Sequence, residues 1–281
     1  MAERRQGDAR LTSGRRAVLA RLGPLATVPA ASAILSTPGL LLLGTVGGCA
    51  SGSSRPAGPP LSVSGKPLAL PLAAPRPRTG ELWVFREINN YNHMPLGDLE
   101  LEVRSNAPLT VEHRRVRRIG GAGQISGHVE PRAMTFSNAW SVNVDSSFDD
   151  EYRFSPAVPL LPPKLEPGSW SKTSHRFTVA GSSSVYGWWQ RLTATGTEIV
   201  TTPAGQFDTL VIRRQIWFDS PQPFRYDRWR EEVRWYAPAV NGWVRRQWTG
   251  SYLDEGTIEK VDRRLEDALT QELRSYTAGT G

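Results

Sequence analysis

Residues 224–236 read FRYDRWREEVRWY, and this stretch decides the fold. Its side chains alternate: Trp229, Val233 and Trp235 share one face of an extended chain, and arginines and tyrosines share the other. A period of two residues is typical of a β-strand whose two faces meet different surroundings. The stretch therefore predicts an aromatic-rich strand with at least one face packed against other parts of the protein.

The flanking sequence repeats this alternating pattern. Similar alternating runs cover residues 170–180, 184–201, 206–218 and 242–253, with turns of Pro, Gly and Ser between them. Shorter runs precede them between residues 82 and 154. Strands that follow one another through short turns, without intervening helices, form antiparallel sheets. We therefore predict one all-β domain over residues 79–278, built on a curved or partly closed antiparallel sheet.

Two halves of this domain, about 79–155 and 156–278, begin alike. Gly80 and Gly168 each stand shortly before a tryptophan, which indicates a duplicated unit. The end of the domain is ambiguous, because residues 258–275 fit both a helical stripe of apolar side chains and a closing strand. The prediction therefore allows at most one short C-terminal helix.

The first 48 residues carry the pattern of a lipoprotein signal sequence. A start with six arginines leads into an uncharged stretch over 22–54, which contains Val46-Gly47-Gly48-Cys49. An aliphatic residue, two small residues and a cysteine resemble the lipobox, in which a peptidase cuts between Gly48 and Cys49 and the thiol carries diacylglycerol. We predict a removable signal over 1–48 and a lipidated Cys49. The alternative is a retained transmembrane helix, which three prolines in the stretch disfavour.

The export route and the anchor follow from neighbouring residues. Arg15 and Arg16 fit a twin-arginine motif and equally the ordinary positive charge of a signal sequence. Residues 49–78 are rich in Pro, Ser and Gly and predict a flexible tether. Ala50 stands where aspartate retains enterobacterial lipoproteins at the inner membrane, so the resemblance implies the periplasmic face of the outer membrane. The membrane is thus an expected partner, reached through the lipid.

Composition argues against several other classes of function. Residues 1–48 supply four of the seven net positive charges, so the mature chain does not favour a nucleic-acid partner. The single cysteine excludes an internal disulfide, and the four histidines lack metal-ligand spacing. We therefore predict no metal, no cofactor and no catalytic constellation. An envelope glycan hydrolase that uses paired carboxylates is the weakest alternative.

Three segments carry a resemblance to a known family. Residues 201–208 read TTPAGQFD, residues 235–238 read WYAP, and residues 243–245 read WVR. They resemble an uncharacterised family of secreted bacterial lipoprotein β-domains with a PAG-x-F turn, a W-Y-x-P segment and a G-x-x-W-x-Y opening, where Phe85 here replaces Tyr. That family has no assigned catalytic residues. Its architecture is similar to the half-barrels of periplasmic lipoprotein carriers, which implies an apolar or acylated ligand held in a concave sheet.

Tryptophans and arginines form the predicted ligand or partner surface. Its members are Trp188, Trp189, Trp229, Trp235, Arg228, Arg230 and Arg234. Adjacent strand residues point to opposite faces, so one of Trp188 and Trp189 lies at the rim or on the outer surface. Most of the tryptophans fit a filled sheet core equally well. The arginines either form a basic patch for a lipid phosphate or pair with nearby acids on a solvated face.

The expected function is a non-enzymatic one. We expect a lipoprotein that binds an apolar or acylated ligand or assists envelope assembly, and the alternative is an adaptor that binds another envelope protein. A concave sheet lined by tryptophans would favour the first. A filled core with an exposed aromatic patch would favour the second.

Overall fold

The computed structural model describes residues 68–117, 131–138, 140–147, 150–255 and 261–280. Arg15, Arg16, Gly48, Cys49 and most of the tether lie outside these residues, so the signal and the anchor remain predictions. Within the described ranges, no helix is long and apolar enough to cross a membrane.

Most of the described chain is strand. In chain order the strands are β1 (Leu82–Asn89), β2 (Pro95–Asn106), β3 (Leu109–Arg117), β4 (Arg132–Asn138), β5 (Ser141–Asp145), β6 (Tyr152–Pro159), β7 (Trp170–Val179), β8 (Val185–Thr202), β9 (Gly205–Phe218), β10 (Arg225–Ala237), β11 (Gly242–Glu255), β12 (Val261–Leu265) and β13 (Leu269–Thr277). A 3-10 turn over Pro238–Val240 joins β10 to β11. The predicted all-β antiparallel class is confirmed, and the described part of 258–275 is strand rather than helix.

Twelve of the strands close into a barrel. Strands β1 to β10 pair in chain order, β10 pairs with β11, β11 with β13, and β13 returns to β1. Strand β12 extends the same edge of β11 beyond β13. A curved or partly closed sheet was predicted, and the closure is complete. Closure removes the free edges and gives the sheet one enclosed face.

Aromatic side chains fill much of the enclosed face. Around Trp140, the ring centroid of Trp83 lies at 5.8 Å, that of Phe136 at 5.5 Å and that of Trp243 at 4.9 Å. A second group, Phe154, Phe177, Trp188 and Phe218, has centroid separations between 4.8 and 6.1 Å. Full burial of such a side chain contributes roughly 1.5–3 kcal/mol to folding. The enclosed face is therefore largely a packed core.

The two predicted halves open with the same turn. Gly80 and Gly168 have φ angles of 80° and 85°, a region that favours glycine. Gly80 N–H donates to Val103 O and Gly168 N–H donates to Ala194 O, both at 2.8 Å. Val103 and Ala194 each return a hydrogen bond to the carbonyl of the residue after the glycine. The likeness between the halves therefore includes the backbone hydrogen bonding of this turn.

The tryptophans that suggested the repeat are not equivalent in space. Trp83 stands three residues after its glycine and is buried, whereas Trp170 stands two residues after its glycine and is 60% exposed. Because side chains alternate along a strand, a shift by one residue moves a side chain to the other face. The duplication itself remains a prediction.

Candidate functional site

The predicted surface residues of β10 divide between the two faces of the barrel wall. Arg228, Arg230 and Arg234 point to the enclosed face, where Arg234 pairs in register with the buried Ile212 of β9. Trp229 and Trp235 alternate with them and point outward. The arginines and these tryptophans therefore belong to two separate sites.

A buried ionic cluster on the enclosed face, which we call the arginine layer, consists of Arg214, Arg234 and Arg246 around Glu232. Arg234 donates from Nε and Nη2 to Glu232 Oε1 at 3.0 and 2.7 Å. Arg214 Nη1 donates to Glu232 Oε2 at 3.2 Å, and Arg246 Nε donates to Oε1. Arg214 Nε donates to Gln190 Oε1 at 2.8 Å. Four neighbouring strands, β8 to β11, thus meet in one hydrogen-bond network.

Each guanidinium of the arginine layer also lies over an indole ring. The three pairs are Arg234 over Trp243 at 4.8 Å, Arg246 over Trp248 at 4.6 Å and Arg214 over Trp188 at 5.5 Å. A cation over an aromatic ring is stabilised by about 0.5–2 kcal/mol, and more in desolvated positions. These rings therefore offset part of the free energy lost when the charges leave water.

Electrostatics keeps the central carboxyl ionised. Burial alone would raise the pKa of Glu232, but Arg234, Arg246 and Arg214 hold that pKa well below its usual value. Burial lowers the pKa of each of the three arginines, and the repulsion between the guanidiniums acts in the same direction. The carboxylate is therefore the group that makes this concentration of positive charge tolerable.

A second ionic cluster holds the other two predicted arginines. Arg228 Nη2 and Arg230 Nη2 lie 2.8 Å from the two carboxylate oxygens of Glu266. Arg228 also lies over the ring of Phe218 at 4.3 Å. The prediction of a solvated arginine face is therefore wrong, because Arg228, Arg230 and Arg234 lie on the enclosed face, where acids and aromatic rings surround them. The alternation of side chains predicted two different faces of β10. It did not predict which of them the closed barrel would enclose.

The outer face of β8, β9 and β10 carries a line of three indoles, which we call the tryptophan row. Trp189 is directly opposite Trp217, and Trp217 is directly opposite Trp229. Trp189 and Trp217 are 42% and 39% exposed, and Trp229 is half-buried. A Cβ atom on Gly187 would lie 2.2 Å from the Trp189 ring, so this indole occupies the space that a side chain at position 187 would need. Neighbouring strands are about 4.8 Å apart, which makes the row roughly 10 Å long.

Positive side chains border the tryptophan row. Lys172 on β7 lies directly opposite Arg191 on β8, and Arg176 lies opposite Gly187. All three cations are exposed, and no acid among the described residues pairs with them. Two acids lie nearby: Glu231, in the row of Lys172 and Arg191, pairs with Arg213 at 3.2 Å, and Asp219 accepts a hydrogen bond from Gly187 N at 2.6 Å. Trp217, Lys172, Arg176 and Arg191 were not predicted as part of this surface, because their position beside Trp189 depends on strand register.

The two remaining predicted tryptophans are buried. Trp188 points inward and is 2% exposed, in contrast to its neighbour Trp189, so the predicted opposition within this pair is confirmed. Trp235 points outward but lies beneath the tip of the β8–β9 hairpin, where its Nε1 donates to Glu198 Oε2 at 2.8 Å. The same tip donates from Ala204 N to Leu273 O at 3.0 Å. Trp235 therefore packs and does not form an open surface.

A cavity of about 670 Å³ lies at one end of the barrel, between residues 69–78 and the last residues of β13. Glu81 at its base is buried and accepts hydrogen bonds from Arg78 N at 2.9 Å, from Asn241 Nδ2 at 3.3 Å and from the Tyr276 hydroxyl. Burial, together with Glu81, raises the pKa of Tyr276. The packed chain thus begins before residue 79, the predicted boundary. Glu81 binds the end of the segment 69–78 through Arg78 N.

No group of three or more His, Cys, Asp or Glu side chains in the described ranges is arranged to hold a metal ion. The two buried histidines have other partners. His113 Nε2 lies 3.0 Å from Ser146 Oγ, and His175 Nδ1 lies 3.1 Å from Pro156 O. Burial lowers the pKa of both imidazoles, which therefore act here as neutral hydrogen-bonding groups.

Comparison with known proteins gives two remote structural similarities. No protein-family model matches the sequence, and no curated protein matches it. A "putative lipoprotein" of Parabacteroides distasonis is similar at 14% sequence identity and a TM-score of 0.41. A "putative exported protein with YmcC-like fold" of Bacteroides fragilis is similar at 13% sequence identity and a TM-score of 0.43. Each similarity covers 73% of this chain and 100% of the other. Similarity at this level implies no ligand and no activity.

Proposed function

We propose that this protein is a non-enzymatic lipoprotein of the cell envelope that binds acylated, anionic amphiphiles at a membrane surface through its tryptophan row. The observation that carries the proposal is the row itself, three indoles on the outer face bordered by Lys172, Arg176 and Arg191. The residues on the enclosed face argue against a carrier that holds the acyl chain inside, because aromatic rings fill much of that space.

Indole rings suit the boundary between lipid and water. Each has a large apolar body and one N–H donor, and tryptophan is therefore enriched where a protein meets the headgroup region. Trp170, 60% exposed on β7, adds a fourth indole to the same outer face. An exposed aromatic group of this size is typical of a surface with a partner.

The positive charges beside the tryptophan row indicate a partner of negative charge. Lys172 and Arg191 face each other across β7 and β8, and like charges directly opposite each other destabilise a sheet. An anionic headgroup between them removes this repulsion. Each cation near an anionic membrane contributes roughly 1 kcal/mol, so two of them shift a docking equilibrium by about thirtyfold.

Quenching of tryptophan fluorescence by brominated acyl chains tests the proposal. Protein extracted from host membranes is reconstituted into vesicles of brominated phosphatidylcholine, with or without brominated phosphatidylglycerol. We expect stronger quenching in the vesicles that contain phosphatidylglycerol. The double variant Lys172→Gln/Arg191→Gln is expected to lose this excess, although it keeps all ten tryptophans.

A matched double variant, Arg86→Gln/Arg104→Gln, removes two exposed cations on β1 and β2 and should behave as the original protein. Equal quenching in both kinds of vesicle, or an excess that both double variants keep, would contradict the proposal. The adaptor alternative would then be favoured, with the tryptophan row in contact with a protein.

A further inference from the structure

The arginine layer contains an unsatisfied donor. Arg234 Nη1 is buried and has no hydrogen-bond partner, and the side chain as a whole is only 4% exposed. A buried donor without a partner destabilises the fold, and more so when the group is charged. Its Nε and Nη2 are already bound to Glu232, so Nη1 is the donor left for another acceptor.

The charge of the layer is also unbalanced. Three guanidiniums contact a single carboxylate, and the next acid that acts electrostatically on Arg214 and Arg234 is Asp145. Even with Asp145 included, these groups carry a surplus of one positive charge. Uncompensated charge in a buried position is strongly unfavourable, so the layer has the electrostatics of a site for an anion.

Space adjoins the layer on its Arg246 side. The Arg246 side chain points to the enclosed face and still keeps 18% of its surface accessible, whereas its partner Glu232 keeps 1%. Arg115, which contacts the buried Glu87 across the same enclosed face, keeps 29%. Part of the interior is therefore open to a molecule of at least the size of water.

We propose that the arginine layer is a binding site for an oxyanion of the phosphate class, held between Arg234 Nη1 and the guanidinium of Arg246. Planar guanidiniums present paired N–H groups that match the oxygens of phosphate. The anion supplies the negative charge that Glu232 alone does not. This inference goes beyond the proposed function, because it concerns the enclosed face and not the tryptophan row.

Two sources can supply such a group, a free phosphate and the headgroup of a lipid. Both present the same oxygens to the arginines, but a lipid phosphate also carries acyl chains that must find room near the aromatic core. Inorganic phosphate and dihexanoyl phosphatidic acid below its micelle concentration therefore serve as the two probes. The probe that binds more tightly identifies the source, and binding of either supports the site.

Thermal unfolding of the full chain in detergent, at constant ionic strength, tests the inference. A ligand that binds only the folded state raises Tm, and at a hundred times its Kd we expect a rise of about 5 °C or more over chloride. Calorimetric titration with each probe is expected to give one site per chain. The fluorescence of the indoles under Arg234 and Arg246 should change with the same midpoint.

Substitutions separate this site from the outer face. Arg246→Gln, at the least buried arginine of the layer, should lose the rise in Tm, and Lys172→Gln/Arg191→Gln should keep it. If Arg246→Gln does not fold, three results test the site instead. They are the binding stoichiometry of the unsubstituted protein, its change in indole fluorescence, and the rise in Tm of Lys172→Gln/Arg191→Gln. The inference is overturned if neither probe raises Tm beyond chloride, or if Lys172→Gln/Arg191→Gln abolishes the rise. Neither outcome affects the vesicle experiment.

Discussion

The inner and outer faces of β8, β9 and β10 reverse the usual distribution of side chains. The inner face places Arg214, Glu232 and Arg234 in the protein interior, whereas the outer face places Trp189 and Trp217 in contact with solvent. Elsewhere in the barrel most aromatic rings lie inside and ion pairs such as Arg104–Glu112 lie outside, while Arg115 and Glu87 form one further pair on the enclosed face. This reversal is the basis of the two binding sites proposed above, one on the outer face and one on the enclosed face.

Replacement of each tryptophan in the Trp188–Trp189 pair gives the largest expected contrast. Trp188→Ala removes a ring that contacts Phe154, Phe177 and Phe218, so we expect the free energy of unfolding to fall by about 4 kcal/mol. Trp189→Ala removes an exposed ring and should lower it by less than about 1 kcal/mol. Urea unfolding measures both values, and equal losses would show that the two faces are not distinct.

The adjacent acids Glu231 and Glu232 provide the next contrast. Glu232→Gln leaves three arginines without their carboxylate, and removal of one partner from a buried ion pair costs about 3 kcal/mol or more. Glu231→Gln breaks a partly exposed pair with Arg213 and should cost less than about 1 kcal/mol. The same urea titration compares them. A loss at Glu231 as large as that at Glu232 would refute the assignment of faces.

Acid should destabilise the ionic clusters of the inner face. The pKa values of Glu232 and Glu266 are depressed in the folded state, so their stabilisation is present above about pH 4.3, the unfolded value, and is lost as the pH falls below it. We expect the free energy of unfolding to decrease between about pH 5 and pH 3. Glu232→Gln should flatten this dependence, whereas Glu231→Gln should leave it unchanged; a steep fall in Glu232→Gln would assign the acid sensitivity to other groups.

Gly187→Ala gives the smallest expected effect on stability and sharpens the role of the outer face. The new methyl group meets the Trp189 ring, a side chain that can swing away, so we expect less than about 1 kcal/mol of change. The Trp189 indole is displaced from its position over residue 187, and its quenching by brominated anionic vesicles should weaken. Gly196→Ala is the control on the same strand, because open space surrounds that position. Unchanged quenching in Gly187→Ala would show that the orientation of Trp189 is irrelevant.

Local pattern predicted the strands and the opposition within the Trp188–Trp189 pair, because both depend only on neighbours in the chain. The enclosed face of β10 was not predictable, since that strand carries large side chains on both faces and only closure of the sheet decides between them. Trp189 and Trp229 were predicted as surface residues, but no sequence signal joined them to Trp217. Trp189, Trp217 and Trp229 become neighbours only through the register of three strands.

The C-terminal segment shows the same limit. Leu265, Leu269 and Leu273 are spaced as on a helix, yet Leu265 is exposed and the other two are buried in a strand. Pairing of β13 with both β1 and β11 outweighs the weak local preference, because it satisfies the backbone groups of three strands at once. Glu81 was missed for a similar reason, since its partners Asn241 and Tyr276 are far away in sequence.

The pairing of β1 with β13 also sets the order of events in folding. These strands lie at opposite ends of the described chain, so the last seam of the barrel joins residues with the largest separation in sequence. Contacts of that kind form slowly, because a long loop must be closed before they stabilise anything. Until then β1 and β13 each present an unpaired edge to other chains. Protection from aggregation while the chain folds is therefore a requirement that this topology places on the cell.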